Sequence, residues 1–514
     1  MGAMTAFNAA AFFVDRHLGE GRSARVAHRA AGRPITWAGV AGAADRWGNA
    51  LGDLGVEIEN RVLLVLDDSP AFVAVFWGTV KVGAVAVPVN PLMAADEYEF
   101  LLNDSRAKVA VIEERVAPKI LAVRERCPFL RAVVVAGRGG AGALALEDLL
   151  GRAKPTLAPA PTNADDIMYW GYTSGSTGRP KAAVHSHAHF RAAADLVGSG
   201  VFGLGPDDVV FSASKMYFAF GLGNTLYFPA RAGASSVLVS ERVEPERAFE
   251  IIARERPTVF FTVPTLYARM LQVREASQRF DLSSLRLCVS SGEALPPAVF
   301  DAWERRFRLP LHDVVGSTEA LHDFIATRPG RARRGTVGEV VPGFEARIVD
   351  DDGNEVAAGT VGHLLVKGPT TAPYYWNRAD RTRTTMLGEW LRTGDMFSRD
   401  PDGHFRFAGR ADDMLKVAGQ WVSPTEVEAR LVEHPLVLKA AVVGRPDASG
   451  LTEARACVVL RNGSVGSPAL EAALREWLRE GLAHHKVPRV LEFVAELPKT
   501  ETGKIQRFRL RAGR

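Results

Sequence analysis

The sequence predicts an α/β protein: a large N-terminal domain with two parallel-type sheets flanked by helices, a β-rich subdomain, and a small α+β C-terminal domain. Three observations carry this. Short apolar bursts alternate between strand and helix texture in two successive series, turn-rich short strands take over after Gly335, and a compact mixed region follows Gly409. At 514 residues, 47% hydrophobic and 24% charged, the chain is ordinary in composition and too long for one core.

The first series begins with helical apolar spacing near Ala43 to Leu54. RVLLVLDDS then reads as a buried strand ending at Asp67, Asp68 and Ser69, followed by a helix in AFVAVFWGTVKVG and a strand in AVAVPVN. EYEFLLNDS (helix), KVAVIEE (strand), a further helix and RAVVVAG (strand) continue it. The proline-studded stretch from Lys154 to Asp166 is a connection. From Ile167 to about Ile325 a second series contains VVFSAS, SSVLVS, TVFFTVP and LRLCVSS, with helices between them. EARIVDDDGNEVAAGTVGHLLVKG marks the β-rich part, and EVEARLVEH, LVLKAAVVGRP, ACVVLR, LEAALREWLREGL and VLEFVAEL form the last region.

Composition excludes several function classes. Lys and Arg total 63 against 59 acidic residues, a net charge of +4, too small an excess to point to nucleic acid. The three cysteines, Cys127, Cys288 and Cys457, lie far apart, so neither a disulfide framework nor a zinc site is expected. Cys288, inside an apolar run, reads as a buried strand thiol. His185, His187 and His189 alternate, but no acidic or cysteine partner stands nearby to complete a metal site. His484 and His485 read as polar surface residues. No apolar run approaches the roughly 20 residues that span a bilayer. The N-terminal segment lacks a basic lead before its apolar residues and is broken by Asp15 and Arg16, so a cytoplasmic protein is expected. Gly137, Gly139 and Gly142 match G-x-G-x-x-G after a strand, yet a proline-rich connection stands where a second strand with its acidic residue belongs. A surface turn is the better reading.

The segment that carries chemistry is YTSGSTGRPKAAVHSH, Tyr172 to His187. Thr173, Ser174, Ser176 and Thr177 supply hydroxyl donors, Gly175 and Gly178 let backbone N–H groups turn toward an anion, and Lys181 adds a point charge. Such a loop suits a polyphosphate. It is not a Walker loop, because Arg179 and Pro180 separate Gly178 from Lys181 and Ala182 follows.

This segment resembles the phosphate-binding signature of the adenylate-forming superfamily: acyl- and aryl-CoA ligases, adenylation domains and luciferase. It departs at Ala182, where that family commonly has glycine. Further motifs follow in family order: SSGEALP (Ser290 to Pro296), DVVGSTEALH (Asp313 to His322), RTGD (Arg392 to Asp395), GRADDMLKVAGQWVSPTEVE (Gly409 to Glu428) and PKTETGKIQR (Pro498 to Arg507). The resemblance implies an AMP-binding and substrate domain over 1–411 and a mobile catalytic domain over 412–514.

It also implies roles. Glu319 would hold Mg²⁺, and Thr318 would contact the α-phosphate, beside Gly316 and Ser317 in the nucleotide site. Asp395 would accept both ribose hydroxyls, supported by Arg410. Asp313 would meet the adenine edge, Ser291, Gly292 and Glu293 its wall, and Val315 would replace an aromatic contact with an aliphatic one. Lys504 would stabilise charge as carboxylate and α-phosphate meet. Asp412 corresponds to a hinge, and Gly419 would face the pantetheine tunnel, where a side chain would obstruct the thiol.

Within the superfamily, KMYFAFGLGNTLYFP (Lys215 to Pro229) and STEALHDF are similar to the benzoate-CoA ligases. They imply an aryl pocket of Ala219, Phe220, Ser291, Val314, Gly316, Leu321 and His322. Phe220 stands where such enzymes often have tyrosine, leaving benzoate, 2-aminobenzoate and hydroxy- or halobenzoates open. The expected reaction joins an aromatic acid to coenzyme A at the expense of ATP. The alternative is a stand-alone aryl adenylation enzyme that loads a carrier protein. An inactive nucleotide-binding module is disfavoured by the presence of Glu319, Asp395 and Lys504, and a luciferase by the aryl-like pocket. A homodimer is among the assemblies the family allows.

Overall fold

A computed structural model describes residues 6–140, 142–173, 179–417, 420–447, 452–461, 464–498 and 505–511. The first alternating series, joined by the two strands with which the second was expected to begin, builds a seven-stranded sheet. Its order is Leu144–Ala145, Ala132–Ala136, Val109–Glu113, Arg61–Val65, Val85–Pro88, Ile167–Thr173 and Lys181–Ser186. All neighbours run parallel except the last pair. The residues of Arg61–Val65 after Arg61 are fully buried, as a strand covered on both faces requires. The helix Pro70–Lys81 begins cleanly because the Ser69 hydroxyl accepts the Phe72 N–H at 3.3 Å and proline occupies its first turn.

The second series builds a nine-stranded sheet whose five central strands are VVFSAS, TVFFTVP, LRLCVSS, Leu311–Gly316 and Ser235–Leu238 in part or whole. These pair in parallel, with Val26–Ala30 beyond Ser235–Leu238; antiparallel strands close both edges. One large apolar cluster, including Phe13, Trp37, Trp47, Trp77, Phe190, Tyr227 and Phe324, fills the space between elements of both sheets. The turn-rich part after Gly335 is a five-stranded antiparallel sheet containing Trp390–Arg399 and Phe405–Arg410.

Beyond it, Leu415–Val417 pairs with Gln420–Val422, and Val437–Pro446, Thr452–Leu460 and Val490–Phe493 form a three-stranded sheet. Helices Pro424–Val432 and Pro468–Gly481 belong to the same region. Leu415, Val427, Val442, Val458, Leu474 and Leu491 share an apolar cluster drawn wholly from this region.

The glycine-containing turn near Gly139 leads into the short edge strand Leu144–Ala145 and then the helix Leu146–Arg152. Cys127, Cys288 and Cys457 are buried free thiols. Among the described residues, no helix is long and apolar enough to cross a membrane.

Candidate active site

The polyphosphate-type loop joins two antiparallel neighbours. Ile167–Thr173 and Lys181–Ser186 pair so that Thr173 stands opposite Lys181, which fixes both ends of the loop at one edge of the sheet. Ser174, Gly175, Ser176, Thr177 and Gly178 lie outside the described residues, as do Gly419 and Lys504. Tyr172 anchors the strand end by donating to Asp104 at 2.7 Å, and Arg378 holds the same carboxylate at 3.0 Å.

Lys181 points at two groups from distant parts of the chain. Its Nζ lies 3.9 Å from the centre of the Tyr375 ring and 3.9 Å from Glu319 Oε1. Tyr375 in turn donates to Glu319 Oε1 at 2.6 Å. Burial pulls the Lys181 ammonium below its ordinary value, while the Glu319 carboxylate works the other way. Burial and the same carboxylate push the Tyr375 phenol well up, so it stays a donor. Tyr375 was not among the residues expected from sequence. Two tyrosines stand side by side; Tyr374 is 39% exposed and Tyr375 2%, a difference set by the packing.

Glu319 sits in a short turn, Thr318–Ala320, capped by the Ser317 hydroxyl, which accepts the Ala320 N–H at 3.2 Å. The turn is held from behind. His185 Nε2 donates to the Thr318 carbonyl at 2.8 Å, so its Nδ1 must accept, and His189 Nδ1 lies 3.0 Å away as the donor. Ala372 N–H donates to the Glu319 carbonyl at 2.7 Å and the Thr370 hydroxyl to the Ala320 carbonyl at 2.6 Å. The histidine run therefore splits between a strand and a helix, with His187 accepting the Ala9 N–H at 3.0 Å. No group of three or more metal-binding side chains occurs among the described residues.

The same turn continues into the segment expected to line an aryl pocket. Leu321 takes a positive φ of 67° to reverse the chain, and His322 follows, buried. His322 Nε2 lies 3.3 Å from the Phe220 carbonyl, and its ring packs against Phe228 and Phe220 with centroids 4.5 and 5.5 Å away. His322 Nδ1 approaches Asp323 Oδ2 to 3.0 Å without hydrogen-bond alignment. Gly223 allows this arrangement, since a Cβ there would collide with the His322 ring. Gly316 has the same function on the other side, where a Cβ would strike the His322 backbone. Ala219 and Val314 are buried, and Phe220 is partly buried with its ring 6.0 Å from Phe261, edge to face.

On the neighbouring strands, Ser290 and Asp313 are register partners. Both are buried, and among the described residues neither Ser290 Oγ nor Asp313 Oδ1 has a well-aligned hydrogen-bond partner. Burial raises the Asp313 carboxyl well above the ordinary range. An orphaned acceptor in such a place is expensive unless a ligand satisfies it. Ser291 donates to the Val314 carbonyl at 3.1 Å, Gly292 turns the chain at a φ of 85°, and Glu293 accepts from Thr265 at 2.5 Å. Val315 packs at the edge of the main apolar cluster.

Asp395 and Arg410 lie on paired strands of the antiparallel sheet and meet at 2.8 Å. Burial raises the Asp395 carboxyl, and the Arg410 guanidinium pulls it back. Thr393 gives its hydroxyl oxygen to the Asp395 N–H at 3.1 Å and donates to the Leu364 carbonyl at 3.0 Å. The Arg410 carbonyl accepts the N–H groups of Asp413 and Met414, both at 2.9 Å, which ties it to the turn containing Asp412.

Similar proteins share this architecture. A benzoate–CoA ligase of Thauera aromatica is 42% identical over 508 residues, covering 98% of this chain and 96% of that protein. The crystal structure of the anthranilate CoA ligase AuaEII with anthranoyl-AMP superposes with a TM-score of 0.92 at 42% identity, covering 99% and 97% of the two chains. A benzoate CoA ligase from Burkholderia xenovorans gives a TM-score of 0.89 at 40% identity, covering 98% and 100%. The family model described as AMP-binding enzyme matches residues 15–376 and that of the AMP-binding enzyme C-terminal domain matches residues 426–504. With both models matched in order along one chain, the protein belongs to the AMP-binding enzyme family.

Proposed function

We propose that this chain is an ATP-dependent aryl-CoA ligase acting on a benzoate-type acid: benzoate itself, 2-aminobenzoate, or a hydroxy- or halobenzoate. One observation carries the reading. Glu319 lies in the turn Thr318–Ala320 and His322 follows it against Phe220 and Phe228, so a carboxylate beside Lys181 and a cluster of aromatic rings adjoin each other. The full-length likeness to benzoate and anthranilate ligases supports the same substrate class.

In the first step a carboxylate oxygen of the acid attacks the α-phosphorus of ATP, and the bond to the pyrophosphate oxygen breaks. In the second, the thiol sulfur of coenzyme A attacks the acyl carbonyl, AMP departs, and the thiol proton passes to solvent. Asp313 is proposed to accept the adenine amino group, beside Ser291, Gly292, Glu293 and Val315. Asp395 and Arg410 take the ribose. Thr173 to Gly178, Lys181, Gly316, Ser317 and Thr318 attend the phosphates, and Lys504 stabilises the charge that develops in adenylation. Ala219, Phe220, Val314, Leu321 and His322 line the aryl pocket. The small region beyond Ala411 is proposed to turn about Asp412 and bring Gly419 to the pantetheine arm.

The residues present suit Mg²⁺. Glu319 offers a hard carboxylate whose Oε1 is held by Tyr375 and whose other oxygen takes no hydrogen bond from a described residue. One carboxylate completed by nucleotide oxygens and water is the usual Mg²⁺ arrangement, and the ion would neutralise phosphate charge. ATP and coenzyme A as co-substrates make the cytoplasm the compartment we propose.

The test is acid-dependent exchange of pyrophosphate into ATP across a panel of aromatic acids, followed by discharge with free coenzyme A. Exchange with benzoate-type acids and thioester formation is the expected result. Exchange without discharge by coenzyme A, but with transfer to a phosphopantetheinyl carrier, would replace this reading by carrier loading.

A further inference from the structure

The wall of the aryl pocket hangs from a corner of chain gripped at two points. Lys215 Nζ donates to the carbonyls of Val239, Ser240 and Glu241, the latter two at 3.3 and 2.6 Å. One residue on, the Met216 N–H donates to Asp68 Oδ1 at 2.9 Å, and the Met216 side chain is fully buried. Asp68 stands between the strand Arg61–Val65 and the Ser69-capped helix, so its position is set by the first sheet. Lys215 grips the chain just after Ser235–Leu238, a strand of the second sheet.

The grip is passed on directly to the pocket. Phe218 N–H returns to the Lys215 carbonyl at 3.0 Å, and Leu222 N–H to the Phe218 carbonyl at 2.8 Å. Gly221 lies so close to the Ser214 and Lys215 carbonyls that any side chain there would collide with them. Ala219 and Phe220 fall inside this tight loop, and the Phe220 carbonyl is the acceptor facing His322.

The two anchor points, Asp68 and the segment Val239 to Glu241, face a common cavity of about 220 Å³. Burial also pushes the Asp68 carboxyl up to about 7, with the Lys215 cation and the Met216 N–H drawing it back, so both anchors act on one local field.

We infer that Asp68 and Lys215 are positioning residues for substrate selection, fixing the distance between the Ala219–Phe220 wall and His322 without touching the acid. This rests on the aryl-ligase reading above. It assigns ring tolerance to a clamp spanning two sheets, outside the residues that line the pocket.

The experiment measures pyrophosphate exchange for Asp68→Ala, Asp68→Asn and Lys215→Met with benzoate and with bulkier ring-substituted benzoates. Asp68→Ala and Lys215→Met are expected to raise the KM for benzoate roughly tenfold or more while the KM for ATP stays within about twofold. The preference for benzoate over bulkier acids should narrow in both. Asp68→Asn, whose amide oxygen can still accept the Met216 N–H, should restore most of the wild-type preference. Should Asp68→Ala fail to fold, the Lys215→Met and Asp68→Asn pair carries the same comparison. Folded variants with an unchanged preference, or with acid and ATP affinities lost in parallel, would overturn the clamp and leave the ligase reading standing. A wild-type protein that exchanges pyrophosphate with no aromatic acid would overturn both.

Discussion

Asp395 and Arg410 are cross-strand partners whose side chains meet at 2.8 Å, and the Arg410 carbonyl receives the first N–H groups after Asp412. A carboxylate proposed for the ribose is thus held by the residue that also closes the proposed hinge turn. Asp395→Ala is expected to raise the KM for ATP by about tenfold or more, with a much smaller effect on the KM for the acid. Because burial raises the Asp395 carboxyl, it takes up a proton at higher pH than an ordinary aspartate. The KM for ATP should therefore climb early as pH falls, and the variant should lose that climb. Initial rates against ATP at several pH values check both.

Lys504 is proposed to serve only one of the two half-reactions. Lys504→Ala should lower adenylation by roughly 10²-fold or more, while transfer from preformed acyl-adenylate to coenzyme A changes far less. Equal losses in the two steps would contradict the assignment.

Asp412→Pro tests movement. Proline fixes φ and should restrict the turn tied to Arg410. The complete reaction should suffer more than either isolated half-reaction, and full overall activity would remove the hinge.

Gly223→Ala is favourable by helix propensity alone, by up to about 1 kcal/mol. A methyl group there would nevertheless collide with the His322 ring and come within 2.9 Å of the Tyr227 hydroxyl. Exchange with benzoate should drop by about tenfold or more while ATP binding, read by calorimetry, persists.

His17, His28, His187 and His189 are each held at about 4, burial being the main cause. Their folded values lie below the unfolded one, so the unfolded chain binds more protons between about pH 6.5 and 4. Stability contributed by neutral burial is full above that window and falls as pH drops through it, by about 1.4 kcal/mol per pH unit for each proton taken up. Urea midpoints measured from pH 7 to 5 should fall steeply, and His28→Gln should flatten part of the slope.

Much of the fold was legible because alternating apolar bursts obey local rules. RVLLVLDDS and TVFFTVP carry β-branched or aromatic runs of strand length, and they became Arg61–Val65 and Val259–Thr262. The proline-studded stretch before Asp166 likewise formed no helix. Candidate site residues were readable where one segment gathers several polar groups, as in Asp313 to His322, which the fold keeps within one strand and the turn after it. The site was opaque where chain-distant packing decides. Nothing near Tyr375 in sequence marks it as the partner of Glu319, and nothing near His185 shows that it supports Thr318. Asp68 ended a predicted strand, but its bond to Met216 spans the two sheets and has no local signature.

The bond from Tyr375 to Glu319, with Lys181 alongside, means that this carboxylate does not stand as a bare anion. On the proposed reading, loading is an exchange of partners, in which incoming phosphates compete for the cation beside the carboxylate.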